Sequence, residues 1–205
     1  MLGLGKLGGR ALDYASDVEL LFVYADDGQT SAPKRVRNDE YFLHLVDEMV
    51  RFIDAKRRGI FEVDLRLRPY GASGPRAVRL HTFTCYYAPA GDALACERVA
   101  LLRLRAIVGS KELGRWVERL RDHLVYTGEI DLAGIGETRA KKIATDASSE
   151  RENGKYSAGN LVDVEYSAQV LQVRYGGEDT RLRTPSVLRG AGSDGRLGCV
   201  GTGRG

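Results

Sequence analysis

The 205-residue sequence is poor in the residues that build metal and disulfide sites. It has three cysteines and three histidines. The cysteines are odd in number and share no C-x-x-C spacing, which argues against both a disulfide framework and a zinc site. The histidines are equally scattered, and a metal site needs partners at fixed spacing. We therefore expect these side chains to lie on the surface or in helices, without a catalytic role.

Long apolar runs and strong charge are also missing. No stretch approaches the roughly twenty apolar residues of a membrane span, and no charged and then apolar leader is visible. The net charge of +3 is modest, and lysines and arginines are not clustered with aromatics as in nucleic-acid-binding proteins. The hydrophobic fraction of 43% is ordinary for a globular protein. We predict a cytoplasmic protein with neither membrane nor nucleic acid as a partner.

The most informative stretch is a glycine turn followed by an acidic strand. Gly8 and Gly9 form the turn, and residues 17–24 have the composition of a β-strand. The period of two points Asp17 and Glu19 to one face and the apolar residues between them to the other. Two neighbouring acids repel each other, so such a pair usually holds a cation. Hard oxygen ligands suit magnesium shared with substrate phosphates, which predicts phosphoryl-type transfer.

A dinucleotide-binding fold is a rival interpretation of the same glycines. Residues 3–8 satisfy G-x-G-x-x-G, and Asp26 follows at a suitable distance. A parallel crossover needs about a dozen residues including its helix. The next strand begins too soon after Gly8 to leave room for that crossover, and this interpretation is therefore disfavoured.

Two further segments are strongly patterned. Residues 38–58 predict a helix, with Asn38 as its cap and an apolar stripe along one face. The stripe consists of Phe42, Leu45, Val46, Met49, Phe52 and Ile53. Residues 60–69 alternate between apolar and charged side chains, which predicts an amphipathic strand. Its charged face could simply be solvated.

The glycine turn and acidic strand resemble the signature of the DNA-polymerase-β-like nucleotidyltransferase superfamily. The matching residues are Leu7-Gly8-Gly9 and Asp17-Val18-Glu19-Leu20. Gly5-Lys6-Leu7-Gly8-Gly9 and Tyr14-Ala15-Ser16-Asp17 are similar to the glutamine-synthetase adenylyltransferase branch in particular. That branch generally has aspartate where Glu19 stands, although the superfamily pattern admits either acid.

Two later segments extend the resemblance. Asp64-Leu65-Arg66-Leu67-Arg68-Pro69 is similar to the second signature of these adenylyltransferases. Residues 155–166 resemble the third, with Lys155, Asp163 and Glu165 at its charged positions. Asn160 occupies the second position of the usual glycine pair, and asparagine tolerates a left-handed backbone. Residues 183–186 continue the match.

The resemblance implies a role for each matching residue. The catalytic and metal-binding residues would be Asp17, Glu19 and Asp64, and the metal would be Mg²⁺. The nucleotide-binding residues for ATP or ADP would be Gly8, Gly9, Ser16, Arg66 and Arg68. The supporting residues would be Lys155, Asp163 and Glu165. Arg66 and Arg68 would lie on one face, where guanidinium groups can contact phosphate oxygens.

The predicted fold class is α+β, with a polymerase-β-like mixed sheet and flanking helices followed by an α-helical domain. The nucleotidyltransferase domain would span residues 1–109, the helical domain 110–189, and a glycine-rich disordered tail 190–205. In the helical domain, residues 111–126, 136–146 and 161–175 are predicted helices. The first has an apolar stripe of Leu113, Val117, Leu120 and Leu124. The last has a stripe predicted to be buried, Leu161, Val164, Ala168, Leu171 and Tyr175, and a polar stripe of Glu165, Gln169 and Gln172. Only residues 1–4 are available for the strand before the glycine turn, which predicts either that the chain is a piece of a longer protein or that its start has been placed too late.

The resemblance implies an adenylyltransferase unit that regulates nitrogen assimilation. Such a unit attaches AMP from ATP to a tyrosine of glutamine synthetase, or removes AMP by phosphorolysis. Its partners would be glutamine synthetase and possibly the PII signalling protein. The alternative is a catalytically silent regulatory or nucleotide-binding module derived from the same family, which the substitutions at Glu19 and Asn160 favour.

Overall fold

The computed structural model describes residues 1–13, 16–31, 33–56, 61–128, 130–136 and 161–186. Several predictions concern residues outside these ranges: most of the helix at 136–146, the role of Lys155, and the tail at 190–205. The described residues form a mixed β-sheet with flanking helices. The predicted α+β fold class is therefore confirmed.

The sheet is built around one long strand. Its strands are β1 (Leu2–Gly3), β2 (Val18–Tyr24), β3 (Val63–Asp64), β4 (Ala77–Arg79) and β5 (Arg105–Ala106). β1 lies between β2 and β5 and pairs antiparallel with both. On its other edge, β2 pairs in parallel with β3 at its start and with β4 at its end. β3 and β4 thus share one edge of β2, with residues 65–76 connecting them.

Six helices have assigned bounds within the described residues. They are α1 (Gly5–Gly8), α2 (Asn38–Lys56), α3 (Leu80–Tyr87), α4 (Ala95–Ala100), α5 (Lys111–Tyr126) and α6 (Leu161–Tyr175). Three single 3₁₀ turns cover Gly71–Ser73, Leu101–Arg103 and Thr180–Leu182. No helix in the described ranges combines the length and apolar character needed to cross a bilayer.

The larger hydrophobic core joins the sheet to α5. Val117 and Val125 of α5 are fully buried in one cluster with Leu21 of β2 and Phe83 of α3. The predicted apolar stripe of α5 is therefore confirmed as a core surface. Because this cluster includes residues on both sides of position 109, α5 packs as part of the core of the sheet. The division into two domains stays a prediction.

A second core cluster lies between α2 and the opposite face of β2, to which Leu20, Phe22 and Tyr24 contribute. Val46 is buried there, and Phe42, Met49 and Ile53 pack against it, as the stripe predicted. Leu45 and Phe52 were also predicted to face the core, but they are 41% and 65% exposed. The stripe that packs is narrower because β2, β3 and β4 cover only part of the helix surface.

The strand predicted at residues 60–69 is much shorter in the structure. β3 contains only Val63 and Asp64, and the chain turns from residue 66 onward. The carbonyl of Leu65 accepts hydrogen bonds from both the backbone N–H and the guanidinium of Arg68. The alternating pattern continues beyond the point at which β2 offers a pairing partner, so periodicity overestimated the strand.

Helix α6 packs through its polar side, against expectation. Val164, Leu171 and Tyr175 were predicted to be buried, yet they are 60%, 53% and 44% exposed. Gln172, predicted on the polar stripe, is only 5% exposed. Its amide donates to the carbonyls of Leu182 and Thr184. The neighbouring segment offers backbone acceptors, which a polar side chain can satisfy and a leucine cannot.

Candidate active site

The predicted acids lie where β2 and β3 begin to pair. Glu19 is the register partner of Asp64, and the N–H of Val18 donates to the carbonyl of Glu62 at 2.7 Å. Asp17 immediately precedes β2 and is exposed. Residues opposite each other in a sheet project to the same face. Strand register therefore brings Glu19 and Asp64 to one surface, with Asp17 two residues away on the same period.

The charged form of Glu19 is disfavoured by its surroundings. Burial raises the pKa of Glu19, and the nearby negative charges of Asp64 and Asp17 raise it further. The positive charge of Arg103 opposes this shift in the pKa of Glu19. A carboxylate crowded by two others is stabilised by an added cation.

Asp64 is engaged by Arg66 in the described structure. The guanidinium of Arg66 donates to Oδ2 at 2.7 Å and to Oδ1 at 3.0 Å, and the N–H of Arg66 donates to Oδ1 at 2.7 Å. These contacts lower the pKa of Asp64. The Arg66 side chain is 77% exposed, and solvent screening makes an exposed ion pair of this kind weak. Arg66 can therefore leave Asp64 at small cost.

The glycine turn is pressed against Glu19 and Arg103. Gly5 has a φ of +45°, and a methyl group added there would lie 1.1 Å from a carboxylate oxygen of Glu19. A methyl group added to Gly8 would lie 1.8 Å from the carbonyl oxygen of Arg103. The position of Gly5 favours glycine because of its positive φ, and that of Gly8 needs glycine because a side chain would collide with the backbone of Arg103. The turn is thereby fixed beside the carboxylates.

The amides of the two predicted phosphate-binding glycines are already used. The N–H of Gly8 donates to the carbonyl of Leu4, and that of Gly9 donates to the carbonyl of Gly5. The guanidinium of Arg105 also binds the carbonyl of Gly8 at 3.0 Å. In this structure Gly8 and Gly9 therefore allow close packing, and their N–H groups maintain the turn.

Ser16 is held beside the turn by Lys6. Ser16 is 5% exposed, and its hydroxyl accepts from Lys6 Nζ at 3.3 Å and from the N–H of Asp13. Lys6 also forms an ion pair with Asp13 at 3.0 Å. Lys6 was not among the predicted site residues, although it lies within the glycine motif. Its 38% exposed side chain places a positive charge beside Ser16, the residue before Asp17.

Arg68 has a different environment from Arg66. It is 8% exposed, and its guanidinium donates to the carbonyls of Leu65, Ala72 and Gly74. These contacts fold the segment between β3 and β4 onto itself. The expectation that both arginines share one open face is wrong, because the strand ends before residue 66. Arg68 shapes the loop that follows Asp64.

The supporting residues are only partly described. Lys155 lies outside the described residues, and for Asp163 only the helical backbone is described. Glu165 forms an ion pair with Arg103 at 3.1 Å. Arg103 was missed by the sequence reasoning, since nothing in its local pattern distinguishes it from other arginines of the same segment.

The three carboxylates suit a divalent cation in chemistry but do not form a closed ligand cage. Among the described residues, no group of three acidic, histidine or cysteine side chains is arranged to hold a metal ion. Asp64 is bound to Arg66, and Glu19 lies against Gly5. The oxygen donors nevertheless share one face, and the contact that occupies Asp64 is weak. Carboxylate oxygens are the ligand type that Mg²⁺ prefers, and a magnesium site at these residues stays a prediction.

The sequence is similar to one family of known proteins. Residues 1–120 match the family model described as glutamate-ammonia ligase adenylyltransferase. Two relatives are named bifunctional glutamine synthetase adenylyltransferase/adenylyl-removing enzyme: one from Thioalkalivibrio sulfidiphilus is 33% identical over 91% of this chain, and one from Methylococcus capsulatus is 34% identical over 92%. A third of the same name, from Pseudomonas aeruginosa, is 33% identical over 92% of this chain.

The mixed sheet with its flanking helices is consistent with the α+β fold of the nucleotidyltransferase class. The family match covers more than half of the sequence. The chain belongs to the glutamate-ammonia ligase adenylyltransferase family. It spans about one fifth of the length of these three relatives.

Proposed function

We propose that this chain is a nucleotidyltransferase unit that acts on a tyrosine of glutamine synthetase, either transferring AMP from ATP with release of pyrophosphate or transferring AMP from the tyrosine to phosphate to give ADP. The observation that carries the proposal is the pairing of Glu19 with Asp64 across β2 and β3, with Asp17 adjacent and the glycine turn packed on Glu19. The names of the relatives supply the substrate class.

The carboxylates would bind the metal-nucleotide substrate. Mg²⁺ held by Asp17, Glu19 and Asp64 would neutralise phosphate charge and favour ionisation of the attacking hydroxyl. Burial raises the pKa of Glu19, and repulsion by Asp64 and Asp17 raises it further; a cation bound at the acids would relieve that repulsion. Asp64 becomes available only when Arg66 releases it, and it could then accept the proton of the tyrosine hydroxyl.

Arg66 and Lys6 would contact the phosphates. Arg66 is exposed and adjacent to Asp64, so its guanidinium can exchange a carboxylate for a phosphate of similar geometry. Lys6 lies beside the glycine turn, with its Nζ near Ser16. Gly8, Gly9 and Arg68 would act indirectly, because their polar groups already hold the turn and the loop after β3.

A silent nucleotide-binding module is the second candidate. It is favoured by the ion pair between Arg66 and Asp64, which leaves no ready three-carboxylate cluster among the described side chains. Such a module would bind ATP or glutamine synthetase without turnover. Association with the PII signalling protein stays a prediction in either case.

Labelled ATP separates the two candidates. The chain is incubated with α-labelled ATP, Mg²⁺ and glutamine synthetase, and the label on the synthetase is measured. The reverse reaction uses adenylylated synthetase, phosphate and Mg²⁺, with release of ADP as the readout. Transfer in either direction supports the enzyme. ATP binding by calorimetry without transfer in either direction favours the silent module, and absence of both overturns the proposed nucleotide site.

A further inference from the structure

Arg103 lies between the glycine turn and helix α6. Its carbonyl oxygen packs against Gly8, and its side-chain Cδ is 3.7 Å from the position that a methyl group on Gly9 would occupy. Its Nη2 is 3.1 Å from Oε1 of Glu165 on α6. One residue therefore contacts both the turn that flanks the proposed site and the C-terminal helix.

The guanidinium of Arg103 is held in a restricted, low-dielectric position. Its side chain is 11% exposed, and Glu165 is 33% exposed. The Nε of Arg103 is buried and has no hydrogen-bond partner among the described residues. The positive charge of Arg103 also acts on Glu19. A buried, incompletely satisfied cation is costly to fold. Glu165 of α6 is its ion-pair partner, and the glycine turn against which Arg103 packs also contacts Glu19 through Gly5.

The segment after α6 returns to the same glycine turn. The amide of Gln172 holds the carbonyls of Leu182 and Thr184. The carbonyl of Pro185 then lies 3.0 Å from the position of a methyl group on Gly9. The α6 segment thus reaches the turn twice, once through Glu165 and Arg103 and once through residues 182–185.

We propose that Arg103 is a positioning residue that couples the docking of α6 to the glycine turn and to Glu19, so that the nucleotide pocket is ordered only while Glu165 holds Arg103. This inference rests on the proposed function for its catalytic consequence. The structural coupling itself does not require turnover. The coupling consists of the contacts of Glu165 with Arg103, of Pro185 with Gly9, and of Gly5 with Glu19.

Hydrogen exchange of the full chain tests the coupling directly. Arg103→Gln and Glu165→Gln each remove the ion pair. We expect amide exchange to accelerate about tenfold both in residues 164–175 and in residues 5–9, within the range that coupled contacts produce. The control is the exposed pair of Glu48 and Arg51 on α2, whose neutral variants should change neither segment.

A charge exchange separates coupling from simple stabilisation. The double variant Arg103→Glu with Glu165→Arg restores an ion pair between α6 and residue 103. We expect it to restore slow exchange in residues 164–175. It places a carboxylate near Glu19, so ATP affinity and AMP transfer should stay about tenfold below wild type. A purely structural role predicts full recovery of both quantities.

Three results would overturn the proposal. The first is Glu165→Gln accelerating exchange only in α6, with residues 5–9 unchanged. The second is full recovery of ATP affinity in the charge-exchanged variant. The third is unchanged exchange in every single variant, with circular dichroism confirming that each is folded. If wild-type chain neither binds ATP nor transfers AMP, the proposed function fails, and the exchange measurements still decide the coupling.

Discussion

Two regions use charged and polar groups in opposite ways. The first is the carboxylate edge, formed by Asp17, Glu19 and Asp64 on and beside β2 and β3. The second is the polar seam under α6, formed by Glu165, Gln172 and their partners. At the edge, Glu19 and Asp64 are brought together by strand register although they repel each other. At the seam, Glu165 and Gln172 are each matched to a partner, Arg103 or backbone carbonyls. Asp64 is paired with Arg66, but Glu19 forms no ion pair with another described residue, so the charge imbalance of the edge lies at Glu19. The seam, in contrast, pairs its charge with Arg103.

This difference suggests that the edge serves ligand binding and that the seam serves the stability of the fold. A fold gains nothing by crowding acids, so the edge is a place where a ligand can add stability that the chain lacks. The seam stabilises a specific orientation, because hydrogen bonds and ion pairs depend on geometry more than apolar contacts do. Substitutions at the edge should therefore alter function with little loss of stability, and substitutions at the seam should do the reverse.

The largest effect is expected at the edge. Asp17→Asn keeps the size of an exposed side chain but removes the charge that would hold the cation. AMP transfer should fall about a thousandfold, while the melting temperature stays near that of wild type. Labelled transfer and thermal denaturation measure the two quantities. Asp26→Asn, an exposed change just beyond the other end of β2, is the matched control, and a near-normal rate for Asp17→Asn would refute the metal role.

At the seam, Gln172→Leu should reverse this pattern. The change keeps a buried side chain but removes the N–H donors to Leu182 and Thr184, which costs about 1–3 kcal/mol. The melting temperature should fall by several degrees for a chain of this size. Gln169→Leu, half-buried and one turn earlier, should have little effect. Equal melting temperatures for the two variants would show that the Gln172 contacts do not hold α6.

The charge imbalance at the edge predicts a pH-dependent stability difference. The pKa of Glu19 is raised above the ordinary value of 4.5, so the folded state favours its protonated form. The stabilisation that protonation provides is complete below pH 4.5 and is lost as pH rises through the folded pKa. Glu19→Gln should therefore unfold at a higher temperature than wild type at pH 7 and at a similar temperature near pH 4.

Melting curves across this pH range provide the measurement. Glu62→Gln, at an exposed residue beside β3, gives the baseline for removing a surface carboxylate. If Glu19→Gln were less stable than wild type at pH 7, the carboxylate of Glu19 would have a compensating partner and the edge would resemble the seam.

The smallest effect is expected on the exposed side of α6. Leu171→Ala should change the free energy of unfolding by no more than about 0.5 kcal/mol, because Leu171 is 53% exposed. Leu124→Ala on α5, at a residue only 6% exposed, should cost about 2–5 kcal/mol. Urea denaturation of both variants gives the comparison. A large loss for Leu171→Ala would mean that α6 packs through its apolar side after all.

Much of the edge could be predicted from local sequence. The alternation around Asp17 and Glu19 predicted a strand, and β2 begins at Val18. The glycine motif predicted a close backbone turn, which the packing of Gly8 against Arg103 explains. The helix from Asn38 was equally clear, because its cap and apolar stripe are contained within a single segment.

Less of the seam could be predicted. Periodicity identified α6 as a helix but assigned the wrong side to the core, since it ranks side chains by polarity alone. The burial of Gln172 depends on carbonyls ten and twelve residues later in the chain. The burial of Arg68 could not be predicted either, because its carbonyl partners come within reach only when the segment after β3 folds back.

The sequence by itself determined the chemistry of this protein: a glycine turn, three carboxylates in the family's order, and the arginine beside the third. These are properties of residue type and short-range spacing. The tertiary structure alone decided that Arg66 binds Asp64 while Arg68 is buried, and that Arg103 connects α6 to the turn. A long cationic side chain can reach many partners, and only the folded backbone fixes which carboxylate or carbonyl lies within its reach.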